Sequence, residues 1–332
     1  MNIVVGVISD FAAWVMPPPF VDRLRGQFPQ HTFLEAWDRQ TIRQLLPAAD
    51  VAFTPFVDRD VFPAATRLRW VQSPAVGVGS LLYPELVASE LVVTTARGIR
   101  ARAIAEHVLG VSIALARQLH VAIRAQVAHH WAQDAIEGPG RCTVTALLSR
   151  RLGIVGLGSI GLEVARIAVP FGLRVSAVRR RTDTPLPDSS VSIDELFPPD
   201  RLMELLAKSD IVLLSTPLTR ETRQLIGRRE LGEIKRGAFL INVGRGKLID
   251  DDAVIEALRD GRLGGAALDV FTREPLDPAS PYWDMPNVII TPHTSGAMDD
   301  YWTPLVDLFA ENLRRFEAGQ PLLNVADKHA GY

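Results

Sequence analysis

The sequence predicts an α/β protein built from two doubly wound parallel-sheet domains. Its 332 residues exceed the usual size of one domain, since domains average about 150 residues. Apolar strand patterns alternate with helical patterns in two series, one over residues 1–96 and one from Leu152 onward. Such alternation is typical of parallel sheets covered by helices. A glycine-rich turn opens the second series.

The composition excludes several classes of protein. Hydrophobic residues make up 47% and charged residues 22% of the chain, and the formal net charge is −2, so we expect neither a nucleic-acid nor a membrane partner. No uninterrupted apolar run reaches the roughly 18 residues that a membrane span needs. The single cysteine, Cys142, is expected to be a buried or inert thiol, and no metal site is expected. The segment Met1–Asp10 reads as a strand rather than a signal peptide, so we expect a cytoplasmic protein.

The first series contains five expected strands, with helical or loop segments between them: Ile3–Ile8, Thr32–Ala36, Val51–Thr54, Trp70–Gln72 and Leu91–Thr94. A proline run at 17–19 marks a rigid loop after the first strand. A long, mostly apolar helix is then expected from Ala101 to about Ala132, because apolar residues recur there at three- and four-residue spacing. Such a helix indicates burial, either at a contact between subunits or in the core of one chain. A loop at 138–140 ends this region.

The second series opens with Gly156-Leu-Gly-Ser-Ile-Gly161, placed between an apolar strand pattern and a helical pattern. The first glycine permits a tight turn, the second lets backbone N–H groups approach a pyrophosphate, and the third packs the helix against the strand. The helix then directs the positive end of its dipole at the phosphates. The alternative is an ordinary glycine-rich turn. The sequence therefore predicts a dinucleotide-binding Rossmann domain.

The remaining elements of this series place unusual residues at the ends of strands. Strands are expected at 152–155, 173–178, 211–215, 238–243, 264–268 and 287–290, and helices at 160–170, 200–207, 250–259 and from about Pro304 to Glu317. Polar or charged residues follow three of these strands, at 215–217, 242–246 and 291–293. Because ligands bind outside the carboxyl ends of strands in open parallel sheets, these segments are functional candidates.

Three residues in the second half of the chain could perform proton and charge chemistry together. Arg245 lies between two glycines, whose small size lets the guanidinium project and hold a carboxylate through two parallel bonds. A glutamate such as Glu274, bonded to one nitrogen of His293, would stabilise the imidazolium, so that the other nitrogen could donate a proton near neutral pH. A nicotinamide hydride donor needs such an acid for the developing alkoxide and a cation for an α-carboxylate. Taken singly, each residue also has a plain structural explanation.

Five motifs in this order resemble those of the D-isomer-specific 2-hydroxyacid dehydrogenase family. They are Gly156-Leu-Gly-Ser-Ile-Gly161, Thr216-Pro-Leu-Thr-Arg-Glu-Thr222, Ala238-Phe-Leu-Ile-Asn-Val-Gly-Arg-Gly246, Gly265-Ala-Ala-Leu-Asp-Val-Phe271 with Glu274-Pro-Leu276, and Asn287-Val-Ile-Ile-Thr-Pro-His-Thr-Ser-Gly296. The resemblance covers nearly the whole chain and is weakest in residues 1–70 and 133–150.

The resemblance implies a role for each catalytic candidate. Arg245 would bind the carboxylate and carbonyl of the substrate, His293 would be the acid/base, and Glu274 would be its partner. The backbone at Val76 and Gly77 would bind the substrate carboxylate. The residues expected to contact the cofactor are Gly156, Gly158, Ser159, Ile160, Gly161, Arg179, Arg180, Thr216, Pro217, Thr222, Val243, Asp269 and Ser295, with Asp269 on the nicotinamide carboxamide.

The resemblance also implies the domain organisation. A flavodoxin-like split substrate domain, residues 1–98 and 298–332, would surround a dinucleotide-binding domain, residues 99–297. The long helix after Arg100 would form a homodimer contact. Two positions depart from the family pattern: Gly79 stands where an acidic residue is frequent, and Thr95 where asparagine is commoner. These departures bear on the choice of substrate and leave the catalytic residues intact.

The residues at the end of the second Rossmann strand favour NADP(H), which carries a 2′-phosphate, over NAD(H). The strand ends in Arg179-Arg-Arg181, where an NAD enzyme carries an acid that accepts from the ribose 2′-hydroxyl. Arginines would instead bind a 2′-phosphate through charge-assisted hydrogen bonds. A solvated basic turn is the alternative, and Asp183 could still serve a ribose. We therefore expect NADP(H) to be preferred, with NAD(H) possible.

The expected activity is reduction of a small 2-oxoacid, such as glyoxylate or hydroxypyruvate, to the D-2-hydroxyacid by hydride transfer from NAD(P)H. A phosphoglycerate-type dehydrogenase is one alternative. A nucleotide-sensing, corepressor-like interaction protein is another, since the same fold serves such proteins. Trp14 and Met16 are candidates for the outer wall of the substrate pocket, with packing as the competing role.

Overall fold

The computed structural model describes residues 1–137, 144–186 and 190–331. Cys142 and the expected loop at 138–140 lie outside this range. The chain divides into two compact units, Met1–Ile99 with Met298–Tyr332, and Arg100–Ala297. We call them the five-stranded domain and the seven-stranded domain. Their first junction lies one residue from the predicted position.

The five-stranded domain is a parallel sheet of β1 (Asn2–Val5), β2 (Thr32–Glu35), β3 (Val51–Phe53), β4 (Trp70–Gln72) and β5 (Val92–Thr94), in the order β2-β1-β3-β4-β5. Its helices are α1 (Pro18–Gln27), α2 (Arg39–Leu45), α3 (Pro84–Val87) and α11 (Trp302–Glu317). This strand order is that of flavodoxin-like sheets, so the predicted fold of this domain is confirmed.

Helix α11 completes the core of the five-stranded domain. The Phe309 ring stacks on Phe53 at 4.6 Å and on Trp70 at 5.2 Å between ring centroids. Leu305 and Leu313, one turn away on either side, are also buried, as expected for an amphipathic helix. Met16 is fully buried in this core, so it packs rather than lining a pocket.

The seven-stranded domain has the strands β6 (Arg151–Val155), β7 (Arg174–Val178), β8 (Glu195–Phe197), β9 (Ile211–Leu214), β10 (Ala238–Asn242), β11 (Leu263–Leu268) and β12 (Val288–Ile290). Its helices are α4 (Ala101–Ala116), α5 (Leu119–Val127), α6 (Gln133–Glu137), α7 (Ser159–Ala168), α8 (Leu202–Lys208), α9 (Arg228–Glu233) and α10 (Asp251–Arg259). The parallel order β12-β11-β10-β9-β6-β7-β8 is the Rossmann arrangement, which confirms the predicted fold class.

Besides α6, which lies beyond the expected helix end at about Ala132, two short elements of this domain were not expected from the sequence. Strand β8 has only three residues and pairs with the end of β7. Helix α9 has the sequence RRELGE, which carries one buried residue, Leu231, and no apolar periodicity. Both elements are too short to show a hydrophobic periodicity from which they could be predicted.

The expected single helix from Ala101 to about Ala132 is wrong. The chain leaves helical geometry at Gln118, whose φ is +56°. Helices α4 and α5 consequently meet at a 73° bend. Helix α4 is buried against α7, whereas Leu119, Ile123 and Val127 of α5 are exposed.

Among the described residues no single helix is long and apolar enough to span a membrane, although the bent pair of α4 and α5 passes such a test by length and composition.

Candidate active site

The glycine turn after β6 has the geometry that dinucleotide binding requires. Gly156 has φ +102°, and a Cβ there would lie 2.8 Å from the Thr216 backbone nitrogen. A Cβ at Gly161 would lie 2.4 Å from the Gly156 carbonyl oxygen, so only glycine lets α7 approach the strand this closely. A Cβ at Gly158 would meet nothing within 4 Å. The turn therefore leaves open space beside Gly158, at the N-terminus of α7, where no side chain caps the helix. The first backbone N–H groups of a helix have no partner within it and can bind an anion.

The loop after β9 is fastened to this turn. The Ser215 hydroxyl donates to the Gly156 carbonyl oxygen at 2.9 Å. Thr222 closes the loop on itself, because its hydroxyl donates to the Pro217 carbonyl at 2.7 Å and accepts from the Thr219 N–H at 2.7 Å. Thr216 and Pro217 are half-buried beside the turn. Val243, after β10, is 5% exposed and offers little surface to a ligand.

The arginine tip follows β7 at the same edge of the sheet. Arg179 is half-buried and donates from Nη1 to the Thr184 carbonyl at 3.1 Å, whereas Arg180 is exposed. Glu221, in the loop after β9, accepts from the Thr219 hydroxyl, and this bond together with the charges of Arg180 and Arg220 lowers the pKa of its carboxyl. Two cations and one carboxylate thus lie near the end of β7.

Arg245 is held in a tightly packed loop after β10. The fully buried Asn242 side chain donates to the Arg245 carbonyl at 3.0 Å and accepts from the Gly244 N–H at 3.1 Å. A Cβ at Gly246 would lie 1.8 Å from the Phe271 carbonyl carbon. Gly246 is thus required because a side chain there would overlap the backbone of another segment, and not only because a small residue lets Arg245 project freely. Arg245 is exposed, yet crowding by protein atoms lowers the pKa of its guanidinium, and the Glu274 carboxylate opposes that shift.

Glu274 and His293 form the direct pair that the sequence predicts. His293 Nδ1 lies 2.7 Å from Glu274 Oε2, and Glu274 Oε1 accepts from the Phe271 N–H at 2.9 Å. Among the described residues, none is hydrogen-bonded to His293 Nε2. The imidazole is 46% exposed. One nitrogen of His293 is therefore fixed by a carboxylate while the other faces outward.

Asp269 organises the backbone that carries His293. Its carboxylate is 1% exposed and accepts from the Thr291 hydroxyl at 2.6 Å, the Thr294 N–H at 2.9 Å and both the N–H and hydroxyl of Ser295. Its carbonyl accepts from the His293 N–H at 2.9 Å. This anchoring holds His293 at φ +56°, a left-handed conformation that few residues other than glycine adopt.

The three catalytic candidates lie at one edge of one sheet. Arg245 follows β10, Glu274 lies in the segment after β11, and His293 follows β12, so all three lie beyond the carboxyl ends of neighbouring strands. The arrangement offers a cation for an anionic substrate group and a carboxylate-supported imidazole for proton transfer. Groups of three or more His, Cys, Asp or Glu suited to a metal ion are absent from the described residues.

Comparison with known proteins settles the family. Residues 109–295 match the model of the D-isomer specific 2-hydroxyacid dehydrogenase, NAD binding domain. The chain belongs to the D-isomer specific 2-hydroxyacid dehydrogenase family. It is therefore an NAD(P)-dependent oxidoreductase acting on the CH–OH group of donors.

Two curated relatives of this dehydrogenase cover most of its length. It is 35% identical over 296 residues to a putative 2-hydroxyacid dehydrogenase of Haemophilus influenzae, covering 86% of this chain and 89% of that one. It is 33% identical over 320 residues to a glyoxylate reductase of Thermococcus gammatolerans, covering 93% of each.

Two solved structures resemble the dehydrogenase over its whole length. One is an NADPH-dependent glyoxylate/hydroxypyruvate reductase of Sinorhizobium meliloti in complex with NADP and sulfate, with a TM-score of 0.80, 28% identity and 100% coverage of both chains. The other is a D-isomer specific 2-hydroxyacid dehydrogenase of Xanthobacter autotrophicus in complex with NADPH and MES, with a TM-score of 0.81, 28% identity and 99% coverage of both chains.

The expected substrate loop of the dehydrogenase lies in the five-stranded domain. It follows β4, with Val76 41% exposed and Ser73 buried, and the Ser73 hydroxyl accepts from the Ala75 N–H at 3.1 Å. The sequence analysis placed Asn242 and Thr291 in candidate segments without giving either a role, and it did not single out the half-buried His107. Asn242 carried a usable signal, since an amide at the end of an apolar strand needs a partner for its side chain.

Proposed function

We propose that this dehydrogenase reduces a small 2-oxoacid, of the glyoxylate or hydroxypyruvate class, to the D-2-hydroxyacid. The observation that supports the proposal is the 2.7 Å contact between Glu274 and His293 beside the exposed Arg245. The glycine turn fits a nicotinamide dinucleotide, since the open space at Gly158 adjoins a helix N-terminus. The bound cofactor would supply the hydride.

Side chains of the protein would bind the substrate and transfer the proton. Arg245 would hold the substrate carboxylate through two parallel hydrogen bonds. His293 would donate a proton from Nε2 to the carbonyl oxygen as negative charge develops there. Glu274 would stabilise the resulting imidazolium charge through Nδ1. Thr216 and Pro217, half-buried beside the glycine turn, would line the cofactor site.

A substrate panel tests this proposal. Turnover of glyoxylate, hydroxypyruvate, pyruvate and bulkier 2-oxoacids should be measured with NADPH and with NADH. The proposal expects the highest kcat/KM for glyoxylate and hydroxypyruvate, and D-glycerate as the product from hydroxypyruvate. A preference for phosphohydroxypyruvate would favour the phosphoglycerate-type alternative. Cofactor binding without turnover of any 2-oxoacid would favour the nucleotide-sensing, corepressor-like alternative.

We further propose that NADPH is the preferred cofactor. Arg179 and Arg180 supply two cations at the strand tip, and each charged hydrogen bond to a 2′-phosphate is worth about 1.5–3 kcal/mol. NADPH should therefore exceed NADH in kcat/KM by at least about tenfold. The change Arg179→Asp with Arg180→Gln should reverse the order, whereas Arg174→Asp, at the other end of β7, should not. Equal efficiencies of the two cofactors in the unaltered enzyme at low salt would contradict the proposal.

A homodimer contact through α5 is the third part of the proposal. Leu119, Ile123 and Val127 recur every four residues on one helix face and are 45%, 59% and 77% exposed. Such an apolar row at the surface is typical of a protein interface. Sedimentation at micromolar concentration should give a dimer, which Ile123→Glu should weaken and the neighbouring Gln126→Glu should leave intact. A monomeric unaltered protein would reject this contact.

A further inference from the structure

His107 is a half-buried histidine that the proposed mechanism does not use. It lies on α4, and its Nε2 is 3.5 Å from the Thr291 hydroxyl oxygen, at the outer limit of hydrogen-bond length. Thr291 begins the segment that carries His293 and contacts the buried Asp269 carboxylate. A ring nitrogen of α4 thus lies beside the segment that carries His293.

The hydrogen-bonding capacity of Asp269 and Thr291 determines which atoms carry the protons in the contacts from Asp269 to His107. The Asp269 carboxylate can only accept, so the single hydroxyl proton of Thr291 is directed to Asp269 Oδ1 at 2.6 Å. The Thr291 oxygen can then only accept from His107. Burial lowers the pKa of the His107 imidazole, and the Asp269 charge opposes that shift, so the ring is neutral at physiological pH. His107 must therefore carry its proton on Nε2.

Asp269 needs this support because it is buried without a cation. In residues 1–137, 144–186 and 190–331 no lysine or arginine forms a salt bridge with it. Its charge is balanced by hydrogen bonds from Thr291, Thr294 and Ser295, which are the same bonds that shape the loop around His293. A buried charge is costly unless such donors remain in place.

We propose that His107 is a positioning residue for the active site. By donating from Nε2 to Thr291, it fixes the hydroxyl that binds Asp269, and Asp269 in turn fixes the backbone of His293. The kinetic consequence rests on the proposed function, since it assumes that His293 is the proton donor. The structural consequence, a more stable loop from Thr291 to Ser295, does not depend on any activity.

Two substitutions of His107 separate its hydrogen bond from its bulk. The amide nitrogen of His107→Gln lies close to the position of Nε2 and can still donate to Thr291. His107→Asn places its amide near the position of Nδ1 and cannot reach. His120→Asn is the matched control, because His120 is also half-buried, with a pKa likewise lowered by burial, but it contacts the Ala114 carbonyl instead.

Hydrogen–deuterium exchange of the peptide covering residues 288–297 is the first measurement. The amides of Thr294 and Ser295 should exchange about threefold to tenfold faster in His107→Asn, the range expected from one lost hydrogen bond of modest strength. His107→Gln and His120→Asn should match the unaltered protein. Thr291→Val should also speed exchange, and adding His107→Asn to it should cause no further increase, because both changes break the same link.

Kinetics provide the second measurement. In His107→Asn, kcat for the best 2-oxoacid should fall about threefold to tenfold while the dissociation constant of the cofactor stays within about twofold. Unchanged exchange in His107→Asn, additive effects in the double variant, or an equal effect of His120→Asn would each overturn the inference. If the unaltered enzyme turned over no 2-oxoacid, the proposed function would fail while the exchange data still decided the role of His107.

Discussion

Replacing Gly246 by alanine should disable the site without touching a catalytic side chain. The added Cβ would lie 1.8 Å from the Phe271 carbonyl carbon, 2.1 Å from its oxygen and 2.3 Å from the Thr272 nitrogen. All three are backbone atoms, so no side-chain rotation can relieve the overlap. One of the two backbone segments must move by about 1.5 Å to restore an ordinary van der Waals separation.

Either movement displaces a catalytic candidate. Gly246 is bonded to Arg245, and the Phe271 N–H donates to the Glu274 carboxylate that holds His293. A misplacement of about 1 Å can reduce a rate a hundredfold. We therefore expect kcat/KM for the best 2-oxoacid to fall by about two orders of magnitude in Gly246→Ala.

The assay is the loss of NADPH absorbance, with a matched glycine substitution beside it. Gly232 is exposed in α9, and a Cβ there would meet nothing within 4 Å, so Gly232→Ala should retain full activity. Circular dichroism should show that Gly246→Ala is still folded at the assay temperature. A folded Gly246→Ala enzyme with kcat/KM within threefold of the unaltered one would refute this reasoning.

Three further predictions concern single side chains. His293→Ala should lower kcat about a hundredfold or more while the cofactor binds normally, since no other acid is available in the motifs; an unchanged kcat would remove it from the mechanism. Arg245→Lys keeps a positive charge but loses the planar fork, so kcat/KM should drop at least about tenfold for every 2-oxoacid; values within twofold would place the carboxylate contact elsewhere. The hydrogen bond from Arg39 holds the pKa of Asp58 below its usual range, so this carboxylate stabilises the fold above its unfolded-state pKa and loses that effect as the pH falls. In urea denaturation, Asp58→Asn should cost about 1 kcal/mol at neutral pH and progressively less below about pH 4; a pH-independent difference would exclude the ion pair as its cause.

The sequence predicts the site best at positions where a single physical requirement admits only one type of residue. Gly156 and Gly161 are read correctly because a positive φ and a close helix approach admit little else. The pairing of Glu274 with His293 follows from the chemistry of an imidazole that must carry charge. The resemblance to the family then supplies the order of the motifs and the split of the first domain.

The sequence predicts least where tertiary contacts decide. Nothing local marks Gln118 as a helix end, because glutamine is a good helix former and its left-handed backbone appears only in the folded chain. His107 sits in the regular apolar pattern of α4, and its contact with Thr291 joins residues 184 positions apart. Asp269 was expected at the nicotinamide, but its bonds to Thr294 and Ser295 could not be read from spacing.

The placement of α11 affects the order in which the protein can fold during synthesis. Phe309 of α11 stacks on Phe53 and Trp70 of the five-stranded domain, yet about 235 residues separate Trp70 from α11. On the ribosome, strands β1 to β5 therefore emerge long before the helix that shields them. The seven-stranded domain is contiguous in sequence and can form in the meantime. We therefore expect Phe53 and Trp70 to stay without their aromatic partner until α11 has been synthesised.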